Sequence, residues 1–133
     1  MDKFMEPKGI SLQYHPQEHF IEGKYTGLAN LDIAVQVVQA IVAAIEEYNC
    51  PYLFFDVSDS LSMATTSENF EFGSSLMDLG FLDDNYRWSI YYKSDPHIYE
   101  FLHNVAKMQG IRHIHIYKDK ESAMKWLMQE KNS

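Results

Sequence analysis

The spacing of apolar residues changes several times along the chain, and each change predicts a new element. Residues 10–14 (ISLQY) alternate apolar and polar side chains, which is the pattern of a strand with one buried face. Residues 20–26 read as a second strand, with Gly23 as a candidate position for a bulge. Because only a short turn at residues 15–18 separates the two strands, we predict an antiparallel hairpin.

The segment that follows is the most apolar part of the sequence and has helical spacing. Asn30 is a suitable N-terminal cap, and apolar residues then recur every three or four positions as far as Ile45. They cover two faces and leave only a narrow polar stripe. We expect this helix to pack between the sheet and a neighbouring helix, with a ligand cavity or a subunit interface as the alternative. Pro51 ends it, because proline disfavours helix at the preceding residue.

Strands and helices alternate in the rest of the chain. Residues 52–55 (YLFF) form an unbroken apolar run, which is typical of a parallel strand buried on both faces. Residues 86–92 and 111–117 predict two more strands, and a helix is predicted after each of these three strands. The order ββαβαβαβα indicates an α/β domain whose sheet is mostly parallel, with one antiparallel hairpin strand and with helices packed on it.

Length and charge narrow the class of protein. The 133 residues, 46% of them hydrophobic, suffice for a single domain that spans the whole chain. A net charge of −8 disfavours binding to nucleic acid or to anionic lipids. The most apolar helix is interrupted by Gln36 and Gln39, and the N-terminal residues lack the apolar region of a secretory signal. We therefore expect a cytoplasmic protein that is not embedded in a membrane.

The residues most suited to chemistry do not have the spacing of a catalytic or metal site. His113 and His115 share one face of the last predicted strand but have no further ligands nearby in sequence. Asp83 and Asp84 fit a solvated turn, and Cys50 has no neighbouring histidine. The glycines form no phosphate-binding loop. We predict no enzymatic activity, no metal and no cofactor.

Polar residues follow directly after the apolar run at residues 52–55. They predict a loop at the carboxyl end of a central strand, where open α/β sheets place their ligand and regulatory sites. The candidate partner-binding residues of this loop are Ser58, Asp59, Ser60, Ser62 and Ser67. Hydroxyls and carboxylates without a nearby lysine, arginine, histidine or cysteine suit a docking surface or a switch better than catalysis.

Residues 63–67 (MATTS) lie at the start of the second predicted helix. They resemble a motif of the STAS family, in which bacterial anti-sigma-factor antagonists carry Met-Asp-Ser-Ser-Gly, and the order ββαβαβαβα resembles the STAS fold. The resemblance aligns Thr66 with the phosphorylated serine of the family and Thr65 with its neighbour. Because Ala64 and Ser67 replace the family's aspartate and glycine, we expect little phosphorylation.

A second resemblance rests on residues 70–72 (FEF), on a helix ending at Gly110 and on the closing pattern from Asp119 to Leu127. Together they resemble the uncharacterised bacterial STAS/SEC14-like branch. The resemblance implies a non-enzymatic regulatory or interaction module, with a regulatory kinase or an anti-sigma-like protein as partner. The alternative is a carrier or sensor of a small apolar, lipid-like ligand. The apolar first helix also predicts either a homodimer or a closed pocket.

Overall fold

The computed structural model of the protein describes residues 9–63, 67–68, 71, 86–93 and 114–131. The strands in this part of the chain are β1 (Ile10–His15), β2 (Phe20–Ala29), β3 (Tyr52–Ser62), β4 (Arg87–Tyr91) and β5 (Ile114–Tyr117). The helices with described bounds are α1 (Leu31–Tyr48) and α2 (Lys120–Lys131).

The strands form one mixed sheet in the order β1-β2-β3-β4-β5. β1 and β2 are antiparallel, and the remaining neighbours are parallel. This confirms the prediction of a mostly parallel sheet with one antiparallel hairpin strand. The second and third predicted helices fall largely outside the described residues. Of the second, Ser67, Glu68 and Glu71 are described, and they are helical.

α1 begins and ends where the sequence predicts. The Asn30 side chain accepts a hydrogen bond of 2.9 Å from the Ile33 N–H and caps the first turn. At the other end, Asn49 adopts a left-handed conformation with φ 51°, which suits a residue that closes a helix. Leu31 lies at the border of the buried face and is only half-buried. The buried residues come from both predicted apolar faces and include three alanines: Ala34, Val37, Val38, Ala40, Ile41, Ala44 and Ile45.

The sheet has an apolar core on each face, which we call the α1 side and the α2 side. Successive side chains of a strand point to opposite faces, so Leu53 and Phe55 of β3 pack on the α1 side while Phe54 packs on the α2 side. Leu53 is 0% exposed and Phe55 is 7% exposed, as the apolar run predicts. α2 is joined to the sheet by Ser89, whose hydroxyl donates to the Ala123 carbonyl at 2.7 Å.

Gly23 does not form the bulge for which it was a candidate, because the pairing is regular on both sides of it. It pairs with Leu12 of β1 and with Phe55 of β3. A Cβ atom at this position would lie 2.9 Å from Phe55 Cδ1 and 3.0 Å from Leu12 Cδ2. The absence of a side chain therefore lets two large core residues approach the backbone.

Candidate functional site

The polar segment after the apolar run is mostly strand, so the prediction of a loop is wrong for Ser58, Asp59, Ser60 and Ser62. All four lie within β3, which β2 accompanies as far as the pair of Ala29 with Ser62. Backbone pairing with β2 holds Asp59, Ser60 and Ser62 in extended conformation, even though aspartate has a low strand propensity. The side chain of Ser62 lies outside the described part of the structure.

A β-bulge begins this polar part of β3. Val57 and Ser58 both stand opposite the single residue Tyr25 of β2. The Asp56 carboxylate accepts a hydrogen bond of 2.8 Å from the Ser58 N–H, and the buried Ser60 hydroxyl donates to the Val57 carbonyl at 2.8 Å. Both side chains thus pair with backbone groups at the bulge. Ser60 is only 4% exposed and does not contribute to the surface.

Beyond the bulge, β2 and β3 extend past the rest of the sheet. The extension consists of residues 26–29 and 59–62, and we call it the ribbon. β4 pairs with β3 no further than Asp56, and the β1 ladder on β2 reaches Tyr25. The ribbon therefore projects from the carboxyl end of the parallel strands, the end at which α/β sheets place their binding sites.

Large apolar side chains are exposed on and beside the ribbon. Leu28 and Leu61 are register partners, and each is 54% exposed. Because paired residues of adjacent strands share a face, the two leucines lie next to each other. Met63 follows the ribbon, is 59% exposed, and donates its N–H to the Ala29 carbonyl at 2.7 Å. These three side chains form a small apolar surface, which we call the apolar patch.

An ion pair lies at the base of the ribbon. Lys24 Nζ of β2 is 2.9 Å from Asp59 Oδ2 of β3. The hydrogen bond and charge of Lys24 lower the pKa of Asp59, and Asp59 raises the pKa of Lys24 in the same way. In the sequence, no lysine or arginine lies near the polar residues of β3, because Lys24 belongs to β2. Knowing that β2 pairs in parallel with β3 would have identified Lys24 as the partner of Asp59.

The remaining site candidates are only partly described. Thr65 and Thr66 lie outside the described residues, so their alignment with the phosphorylated serine stays a prediction. Ser67 is exposed and helical. Cys50 is completely buried, and this burial raises the pKa of its thiol. A buried thiol with a raised pKa is typical of a structural cysteine, which agrees with the position of Cys50 at the end of α1.

His115 lies exposed on β5 and its ring stacks on Trp126 of α2, with 4.2 Å between ring centres. His113 is outside the described part of the chain. Among the residues that are described, no group of three or more histidines, cysteines or carboxylates could hold a metal ion. In the same residues, no helix is long and apolar enough to cross a membrane.

Comparison with known proteins identifies the fold. The sequence matches no family model and no curated protein. It resembles the crystal structure of an uncharacterised protein of the DUF3478 family, with a SpoIIAA-like fold, from Shewanella loihica. The TM-score is 0.56 at 15% identity, covering 96% of this chain and 98% of the other. An anti-sigma factor antagonist from Mycobacterium paratuberculosis gives a TM-score of 0.58 at 10% identity, covering 92% and 98%. The protein therefore has the SpoIIAA-like, or STAS, fold.

Proposed function

We propose that this protein is a non-enzymatic regulatory module that docks a protein partner on the ribbon and at the start of the second predicted helix. The observation that carries the proposal is the apolar patch of Leu28, Leu61 and Met63. Single exposed leucines are common on protein surfaces. Apolar side chains clustered on a projecting element are typical of a surface that binds another protein.

The position of the patch supports the same function. Backbone pairing between β2 and β3 and the Tyr25 hydroxyl, which donates to the Leu28 carbonyl at 2.6 Å, hold the ribbon together, while its leucine side chains stay half exposed. Full burial of one leucine contributes about 1.5–3 kcal/mol, and because each leucine is 54% exposed, roughly half of that becomes available when a partner covers the patch. Asp59 lies two positions before Leu61 in β3 and is exposed, so a polar side chain borders the apolar patch.

The fold supports a protein as the partner. One of the solved structures that this chain resembles is an anti-sigma factor antagonist, and a regulatory kinase or an anti-sigma-like protein is the kind of partner that follows by analogy. Fold analogy alone does not identify a function. The argument therefore depends on the apolar patch, and the analogy only narrows the class of molecule that covers it.

Affinity capture with matched variants tests the proposal. Tagged wild-type protein, the double variant Leu28→Ser/Leu61→Ser and the control Tyr48→Ser are each used to capture proteins from cells that express the chain. Tyr48 is also an exposed large apolar residue, 42% accessible, but it lies at the far end of α1. We expect a specific partner with the wild type and with Tyr48→Ser, and its loss with the double variant.

Two results would contradict the docking function. The first is an identical set of captured proteins for all three forms, provided that circular dichroism shows the double variant to be folded. The second is a lipid-sized mass bound to freshly purified protein in native mass spectrometry, which would instead favour a carrier of a small apolar ligand.

A further inference from the structure

Strand β1 is an edge of the sheet in the described part of the chain. Natural proteins usually protect an edge strand with charged residues, proline, a bulge or a very short length. β1 has six residues (ISLQYH), which include no proline, lysine, arginine or carboxylate, and it pairs with β2 without a bulge. Its sequence is therefore suited to pairing with a further strand.

The direction of the backbone groups of β1 follows from one hydrogen bond. Gly9 is the residue directly before β1, and its carbonyl accepts a hydrogen bond of 3.1 Å from the Thr26 N–H of β2. Gly9 and Thr26 therefore form a hydrogen-bonded pair. Hydrogen-bonded and non-hydrogen-bonded pairs alternate along an antiparallel ladder. Ser11, Gln13 and His15 therefore direct their backbone N–H and C=O groups towards β2. The same groups of the intervening residues point away from it; these are Ile10, Leu12 and Tyr14.

We propose that a second copy of this chain pairs with β1 in antiparallel orientation, around a two-fold axis at Leu12. Residues directly opposite each other must share a face, because side chains alternate along a strand. With Leu12 opposite Leu12 of the second copy, Ile10 lies opposite Tyr14 of that copy. In this register every outward N–H of both strands meets a carbonyl. Moving the axis to Gln13 leaves the Ile10 groups without partners.

The side chains of β1 fit the same register. Ile10, Leu12 and Tyr14 are half-buried and pack against the core on the α1 side. In the dimer these three side chains would meet the same three residues of the second copy. The core on the α1 side would then continue across the line where the two β1 strands pair, which we call the seam. On the other face, exposed Ser11 would lie opposite exposed Gln13. Although the chain has a net charge of −8, β1 places no like charges opposite each other.

Helix α1 supports a second copy as the occupant. It packs over β1 and β2, and Tyr48 at its end stacks on Tyr14 with 4.7 Å between ring centres. If the α1 axis lies above the middle of the β1–β2 pair, it is offset from β1 by half a strand spacing, towards β2. Pairing two copies then separates their α1 axes by two strand spacings, roughly 10 Å, which is close to the distance at which helices pack.

Sedimentation velocity on three forms of the full chain tests the dimer. Ile10→Pro removes an outward N–H without breaking a hydrogen bond to β2, and Ile10→Ala removes the same side-chain contacts while keeping the N–H. We expect a wild-type dimer at tens of micromolar that persists in high salt. We expect the dissociation constant of Ile10→Pro to exceed that of Ile10→Ala about tenfold or more. A wild-type monomer, or equal effects of both variants, would overturn the proposal.

Disulfide trapping tests the register independently. Ser11→Cys and Gln13→Cys are prepared separately, with the buried Cys50 left in place. Opposite residues in an antiparallel pair lie within the range that a disulfide spans. An oxidised mixture of the two variants should form a cross-linked heterodimer, whereas each variant alone should remain largely uncross-linked. Cross-linking of Gln13→Cys alone would refute the axis at Leu12. Neither experiment changes Leu28, Leu61 or Met63, so failure of the dimer and failure of partner docking are distinguishable.

Discussion

Replacing Gly23 with alanine should destabilise the protein, although replacing glycine by alanine is often stabilising at other positions. Where the backbone conformation suits alanine, the change stabilises a protein by about 0.4–1 kcal/mol, because it lowers the conformational entropy of the unfolded chain. Here the added Cβ would lie 2.9 Å from Phe55 Cδ1 and 3.0 Å from Leu12 Cδ2. Phe55 belongs to the core, where overpacking costs about 1–3 kcal/mol. We therefore expect a net loss of about 1–2 kcal/mol in the free energy of unfolding.

Urea denaturation of a double-variant cycle measures the effect. Gly23→Ala should cost less in a Phe55→Leu background than in the wild type, because a planar ring is replaced by a smaller side chain whose δ carbons can turn away from the new Cβ. Gly27→Ala is the control, since Gly27 has φ +122° and a Cβ atom there would have only Tyr25 Oη, 3.9 Å away, as a neighbour among the described residues. Its cost should come from backbone strain and should not change with Phe55→Leu. Stability gained by Gly23→Ala, or full additivity with Phe55→Leu, would refute the steric argument.

Three further outcomes are expected. Phe55→Ala should lower the free energy of unfolding by about 3–5 kcal/mol in chemical denaturation, and a loss below about 1 kcal/mol would contradict its central position. Lys24→Met should raise the pKa of Asp59 in an NMR titration, because Lys24 lowers it. In the wild type, the stabilisation from the lowered pKa of Asp59 is present at neutral pH and is lost as the pH falls through that pKa. An Asp59 titration that Lys24→Met leaves unchanged would exclude the ion pair. Incubation with a serine kinase of the antagonist type should label Thr66 little or not at all, and stoichiometric labelling would overturn that expectation.

The sequence alone determined the features that depend on neighbouring residues. Alternation in β1 and the apolar run at Leu53–Phe55 predict strands, because side-chain direction repeats every second residue. The start of α1 follows from Asn30, whose side chain reaches only three residues along the chain, to Ile33. The order of these elements then predicts the mixed sheet, since parallel neighbours require long connections.

Only the tertiary structure decided the features that depend on which strands lie side by side. Polar residues of β3 are strand because β2 supplies their backbone partners. Gly23 admits a phenylalanine ring from β3, and Lys24 meets Asp59, more than thirty positions away in the sequence. The apolar patch also forms only when Leu28 and Leu61 become register partners. Hydrogen bonds between distant strands set these contacts, and no periodicity within one segment encodes their register.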